Sequence, residues 1–197
     1  MADKAIPGPD DPRTHRERML AGDPYLADDP ELVAAAQRAR RLRDAFNSAT
    51  GDDHGEERRR ILGELLGSLG VDTGIRAPFY CDYGTNVRIG DRCFANYGLV
   101  ALDVAPITIG DDVQMGPNVQ LLTATHPLDA DARRARWEWA EPITIDDNVW
   151  LGGGVIVLPG VHIGTNTVVG AGAVVTRDLP PDVLAVGNPA RVIRDLR

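Results

Sequence analysis

Two cysteines in 197 residues, with no export signal ahead of them, give no basis for a disulfide framework. The opening MADKAIPGPDDPRTHRER lacks the apolar core of a secretory signal, so a cytoplasmic location is expected. No apolar run approaches the roughly 20 residues of a membrane span. Basic charge is scarce: 21 Lys and Arg stand against 29 Asp and Glu, net −8, which argues against a nucleic-acid partner. Aromatics are only 5%, while Gly (21) and Pro (14) are frequent, favouring many turns over a helical bundle. What remains is 43% hydrophobic, a globular chain of one domain with a small appendage.

Residues 1–13 read as a loose arm, and 14–75 as a helical segment. ERML runs into a break at Gly22-Asp23-Pro24. Asp29-Pro30-Glu31 then opens a second helix: Asp caps, Pro takes the first turn and Glu favours the positive end of the dipole. Leu32, Ala35, Ala36, Ala39, Leu42 and Phe46 share one face of it. Residues 47–55 read as a loop. EERRRILGELLGSLG reads as a third helix stopped by Gly70.

From Ala77 the period becomes six. The hexads are Tyr83-GTNVR, Ile89-GDRCF, Ala95-NYGLV, Ala101-LDVAP, Ile109-GDDVQ, Met115-GPNVQ, Ile145-DDNVW, Leu151-GGGVI, Val157-LPGVH, Ile163-GTNTV and Val169-GAGAV. A two-residue slip is placed at Ile107-Thr108. The lead position is aliphatic in almost every hexad, and the fifth is small or β-branched. Three six-residue edges close a triangular coil of about 18 residues, with lead and fifth residues stacking inward. A parallel β-helix over 76–179 follows. Cys81 and Cys93 both read as fifth-position residues facing inward as small hydrophobes. Pro180-Pro181 ends the coils. The tail, 180–197, turns at Gly187-Asn188-Pro189 and packs back as a short helix or strand.

One stretch, 122–144, breaks the rhythm. A break this long in a compact domain is usually functional or disordered, and Trp137 and Trp139 speak for order. They either stack on a ligand or anchor the loop. His126 stands at its root, and Pro127 restricts it to extended geometry. His15, His54 and His162 read as surface residues.

FANYGLVALDVAPITIGDDVQMGPNVQLLTATHPLD, PITIDDNVWLGGGVIVLPGVHIG and VVGAGAVVTRDLPPDVLAVGNPARVIR, together with ERMLAGDPYLADDPEL and RARRLRDAFN, resemble the maltose/galactoside O-acetyltransferase group of hexapeptide-repeat acyltransferases. The resemblance covers about residues 14–197. It implies a left-handed β-helix and acetyl transfer from acetyl-CoA to a hydroxyl. It also implies a homotrimer with sites between subunits, and no metal. His126 falls on the family's catalytic histidine, a general base for the acceptor hydroxyl. Asn96 falls on an active-site asparagine that orients the acceptor or the developing oxyanion. Asp82, Asp103 and Asp28 fall near acceptor-contacting positions, where a carboxylate accepts sugar hydroxyls. Asp29 could share that role or serve only as a helix cap. Trp150, Gly153, Ala171, Thr176, Arg177, Arg191 and Arg194 follow the CoA-contacting positions; arginines suit its phosphates. Gly98 departs from the family, which often has a second Asn there, and this bears on the acceptor. Serine or a xenobiotic alcohol are alternative acceptors. A metal-dependent hydratase needs three converging histidines, whereas the repeats and the break hold only His126 and His162. A non-catalytic coil is the third alternative.

Overall fold

A period of six leaves room for only two inward side chains per edge, and three such edges close a turn. In the computed structural model, which describes residues 4–8, 10–50 and 55–197, short parallel strands stack on three faces. The first face holds Ser68–Leu69, Val87–Ile89, Ile107–Ile109, Ile143–Ile145 and His162–Ile163. The second holds Gly74–Ile75, Phe94–Ala95, Gln114–Met115, Trp150–Leu151, Val168–Val169 and Val183–Val186. The third holds Phe79–Cys81, Leu99–Leu102, Gln120–Leu122, Ile156–Val157 and Val174–Val175. The result is a left-handed parallel β-helix of about six turns. Alternate residues point inward: Val87 and Ile89, Leu99 and Ala101, and Val155 and Val157 are all buried in one continuous core.

The outward residues differ from face to face. The first face presents Ser68, Arg88, Thr108, Thr144 and His162 in register. The third presents Tyr80, Val100, Gln120, Ile156 and Val174, an apolar column interrupted by one glutamine. One corner column, from first to second face, carries Asp72, Arg92, Asp112, Asn148, Asn166 and Asp182, all at positive φ. Asn and Asp tolerate that region better than most residues. They also bond along the column, Asn148 to Asn166 and Asn166 to Asp182.

The register departs from the expected one in a way that matters for the site. Phe94 lies opposite Gly74, and Gln114 opposite Phe94, so each early turn spans twenty residues. Val168 follows Trp150 by eighteen. There are therefore two surplus pairs of residues, not one. Both sit where the third face passes to the first, in corners 82–86 and 103–106; Ile107-Thr108 is regular strand. Cys81 accordingly pairs with the lead residue Ala101 and is not a fifth-position residue. Both cysteines are buried free thiols.

Asp103 holds these corners together. It is 0% exposed. Its Oδ1 accepts the N–H groups of Asp82 and Tyr83, and its Oδ2 that of Asn86. Burial pushes its carboxyl upward in pKa, against the pull of those N–H donors.

Three helices lead into the coil: α1 (His15–Leu20), α2 (Pro30–Ser48) and α3 (Glu56–Leu65). Asp29 caps α2 by accepting the N–H of Glu31. The expected face of α2 buries Leu32, Ala39 and Phe46, with Ala35, Ala36 and Leu42 partly buried. Phe46 meets Phe79 edge-on, and the Asn47 amide bonds the Phe79 backbone in both directions. The third helix is shorter than expected. It stops at Leu65, and Leu69-Gly70 already belongs to the coil, upstream of residue 76. Gly70 is a repeat glycine: a side chain there would run into the backbone of Gly90 and Asp91 in the next turn. The arm is tied down where it is described, with Lys4 donating to the Gly22 carbonyl and Arg13 paired with Asp11 and Asp23. His54 lies outside the described residues. At the other end the tail returns as a strand, with Val183–Val186 pairing antiparallel to Arg191–Asp195.

Asp103→Ala should leave three backbone donors without their acceptor and cost roughly 3 kcal/mol or more. Denaturant unfolding of both proteins measures this; a loss within about 0.5 kcal/mol, the ordinary range of a surface change, contradicts the clamp.

Candidate active site

The break at 122–144 is ordered. After the third-face strand Gln120–Leu122 the chain forms Ala124–Thr125, a short helix α4 (Ala130–Arg134) and Trp137–Ala140, which returns antiparallel to Ala124–Thr125. Tyr25–Leu26, between α1 and α2, adds a third antiparallel strand. The excursion is thus stitched to the N-terminal segment. Met19, Tyr25, Leu32, Tyr83, Val104, Ala105 and Ala140 make a second apolar cluster joining segment, corner and excursion.

The strand alternates. Trp139 is 1% exposed, and the Trp137 ring lies 6.0 Å from that of His15. Both tryptophans therefore anchor the excursion, and neither lines the site. His15 is structural too, its Nδ1 accepting the N–H of Leu26. Glu138, between the tryptophans, turns the other way. The signal was in the sequence: Trp-Glu-Trp in a strand puts its middle residue on the opposite face.

Glu138 and His126 line two adjoining cavities of about 530 and 610 Å³. The inner one runs over Tyr25, Asp82, Tyr83, Val104 and Ala36. The outer one is bounded by Asp28, Arg133 and Arg136. His126 Nε2 lies 3.7 Å from Glu138 Oε2, an ion-pair distance and too long for a hydrogen bond. Glu138 Oε1 accepts the Tyr25 hydroxyl at 2.5 Å. Burial, and then the Glu138 carboxylate, push the Tyr25 hydroxyl far up in pKa, so it stays a donor. Asp82 is pushed up to about 6, by burial first and then by Asp103 and Glu138, with Arg43 pulling the other way.

The sequence candidates do not all converge. His126, Asp82 and Asp28 line the cavities. Asp103 lines neither cavity: it is buried, and its oxygens accept backbone N–H groups that include that of Asp82. Asn96 is half-buried at the corner from second to third face, its Oδ1 accepting the Tyr97 N–H. His126 stands at the opposite end of the third face, roughly 15 Å of strand away. Gly98, beside Asn96, is at φ +79°, and a side chain there would strike Asn118 Oδ1. Gly153 and Ala171 stand on Asn96's corner; Trp150 is 55% exposed on the second face. Arg177 and Arg191 share a third cavity of about 240 Å³ at the end of the prism. Two guanidiniums at a recess fit the phosphates of a coenzyme A. Thr176 adjoins this cavity in the chain, while Arg194 is exposed on the last strand. Among the described residues no three His, Cys, Asp or Glu side chains gather as a metal site, and no helix is long and apolar enough to cross a membrane.

This fold, with a histidine and carboxylates at a corner cavity, defines a hexapeptide-repeat acyltransferase. The maltose acetyltransferase hexapeptide capping motif matches residues 18–70, and the bacterial transferase hexapeptide (six repeats) matches residues 142–177. The chain is 48% identical over 180 residues to nodulation protein L of Rhizobium meliloti, covering 91% of this chain and 98% of that one. A maltose O-acetyltransferase from Clostridium difficile superposes with a TM-score of 0.92 at 46% identity, covering 94% and 98% of the two chains. A hexapeptide-repeat acetyltransferase of Vibrio cholerae, complexed with acetyl coenzyme A, does so at 0.87 and 42%, covering 94% and 100%. The chain belongs to the maltose/galactoside O-acetyltransferase family, and it is an acetyl-CoA-dependent O-acetyltransferase.

Asp82 sets a pH signature. A carboxyl with a raised folded-state value keeps its proton longer in the folded protein than in the unfolded chain. Stability from this group is therefore lost as pH rises from about 4 through 6. Asp82→Asn removes that loss, so the variant should gain on wild type steadily between about pH 4 and 7. Parallel denaturant melts at several pH values test this; a constant difference would contradict the assignment.

Proposed function

We propose that the enzyme transfers the acetyl group to a hydroxyl of a sugar or sugar-like molecule, with His126 as general base, in a homotrimer. The carrying observation is the pairing of His126 with Glu138 over a cavity that mixes carboxylates with apolar walls. Such walls receive the face of a ring, and carboxylates such as Asp82 accept its hydroxyls. His126 takes the proton as the acceptor oxygen attacks. Glu138, held by Tyr25, orients the imidazole and balances the positive charge it gains. When the tetrahedral intermediate collapses, His126 returns the proton to the departing sulfur. Acetyl-CoA supplies the activated acyl group, and a cytoplasmic location goes with that cosubstrate.

The separation of Asn96 from His126 supports the trimer. The third face between them is apolar on its outer side. Turning three such faces toward a common axis buries those columns and brings the Asn96 corner of one subunit to the His126 corner of the next. Asn96 then acts on the oxyanion or acceptor from across the interface, and the Gly153–Ala171 corner comes with it. Small residues there allow the extended arm of the cosubstrate to approach the backbone closely.

Thiol release from acetyl-CoA, measured over a panel of sugars, amino acids and alcohols, should depend on the acceptor. It should fall at least about 100-fold in His126→Ala; equal rates would end the assignment. Co-expressed Asn96→Ala and His126→Ala chains, each inactive alone, should recover activity, because mixed rings contain sites with both native residues. No recovery would place the whole site in one chain.

A further inference from the structure

Arg136 sits at φ +66°, a region disfavoured for L residues other than Asn or Asp. The other described non-glycine residues at positive φ, Asp72, Arg92, Asp112, Asn118, Asn148, Asn166 and Asp182, all belong to coil corners, where the repeat demands it. Arg136 does not. It joins α4 to the strand that carries Glu138. Its guanidinium crosses to Asp28, on the N-terminal segment, at 2.8 Å. Both residues line the outer cavity together with His126 and Glu138. The neighbouring Arg133 is held instead by the carbonyls of Pro127 and Leu128.

Stability does not account for this arrangement. The pair is exposed, Arg136 by 73% and Asp28 by 52%, and exposed ion pairs contribute little. The positive φ at 136 is the left-handed step that ends α4, where the Arg136 N–H bonds the Arg133 carbonyl; what singles out the pair is where it lies. One end stands on the excursion, the other on the segment before α2, and the catalytic cavity runs beneath.

We propose that Arg136 and Asp28 form a bar across the outer cavity and set the size of acceptor admitted beside His126. Acceptors with a compact group next to the reacting hydroxyl fit under it. Those with a bulky substituent meet the paired side chains. The proposal rests on reading this cavity as the acceptor site, and it makes Arg136 a residue of specificity, not of chemistry.

The test compares free glucose and galactose with their aryl glycosides, by thiol release, in wild type, Arg136→Gly and Arg136→Lys. Glycine suits the backbone at 136, so Arg136→Gly should melt no lower than wild type. Its kcat/KM for aryl glycosides relative to free sugars should rise at least about tenfold, the scale on which pocket walls discriminate. Its KM for acetyl-CoA should not move. Arg136→Lys, which keeps a cation opposite Asp28, should retain the wild-type ratio. Release by wild type with an unchanged ratio in Arg136→Gly overturns the bar alone. Absence of release by wild type from every sugar overturns the acceptor reading and the bar with it.

Discussion

The interior of the prism accepts a fixed number of stacked side chains per turn, so every surplus residue must leave at a corner. Pairs of apolar residues such as Val87 with Ile89 and Val155 with Val157 fill that interior without gaps, and close-packed cores do not absorb extra volume. The chain has three surplus stretches: 82–86, 103–106 and the excursion after Leu122. All three leave where the third face passes to the first. Stacked there, they build a wall that the regular coil lacks. Asp82 comes from the first surplus and Val104 from the second, while His126 and Glu138 come from the third. The candidate site is made of what the repeat had to expel.

That wall is held from both sides. Asp103 fixes it from within, through backbone donors of the neighbouring turn. The N-terminal segment fixes it from outside, through the Tyr25–Leu26 strand and the second apolar cluster. The chain of groups from Tyr25 to Glu138 to His126 crosses this junction. The surroundings of the imidazole therefore depend on a residue a hundred positions upstream, and docking of the capping segment shapes the candidate site as well as the core. The same burial that orders Tyr25 keeps Asp82 near its titration point at mildly acidic pH.

The architecture was legible because period six is carried by many residues at once. Its register was harder to read. A surplus corner residue such as Tyr83 is bulky, largely apolar and buried, so in sequence it takes a lead position, which hides the first slip and shifts the apparent place of the second downstream. Leu69-Gly70 was lost to the third helix because Ile61, Leu62 and Leu65 carry a helical period right up to it. His126 was legible from its place at the break. Glu138 is legible only through strand alternation, as the middle residue of Trp-Glu-Trp facing away from both neighbours. The separation of Asn96 from His126 could not be read at all, since it depends on which corner each residue occupies, and that depends on the slips. The clamp made by Asp103 is not legible, because a buried carboxylate serving backbone donors and an exposed one serving a substrate look alike in sequence.

The final strand has a consequence of another kind. A parallel β-helix ends in a row of unpaired backbone groups, an open template onto which a second copy could continue the stack. Here Arg191–Asp195 turns back antiparallel along Val183–Val186, with a register shift between Leu184 and Ala185. The new outer edge carries Arg191, Arg194 and Asp195, so charge and irregularity meet any incoming strand. At the opposite end α2 and α3 lie against the first turn through Phe46 and Leu65. The molecule is a fibre segment closed at both ends by its two appendages, and the N-terminal one also holds the wall around His126 and Glu138.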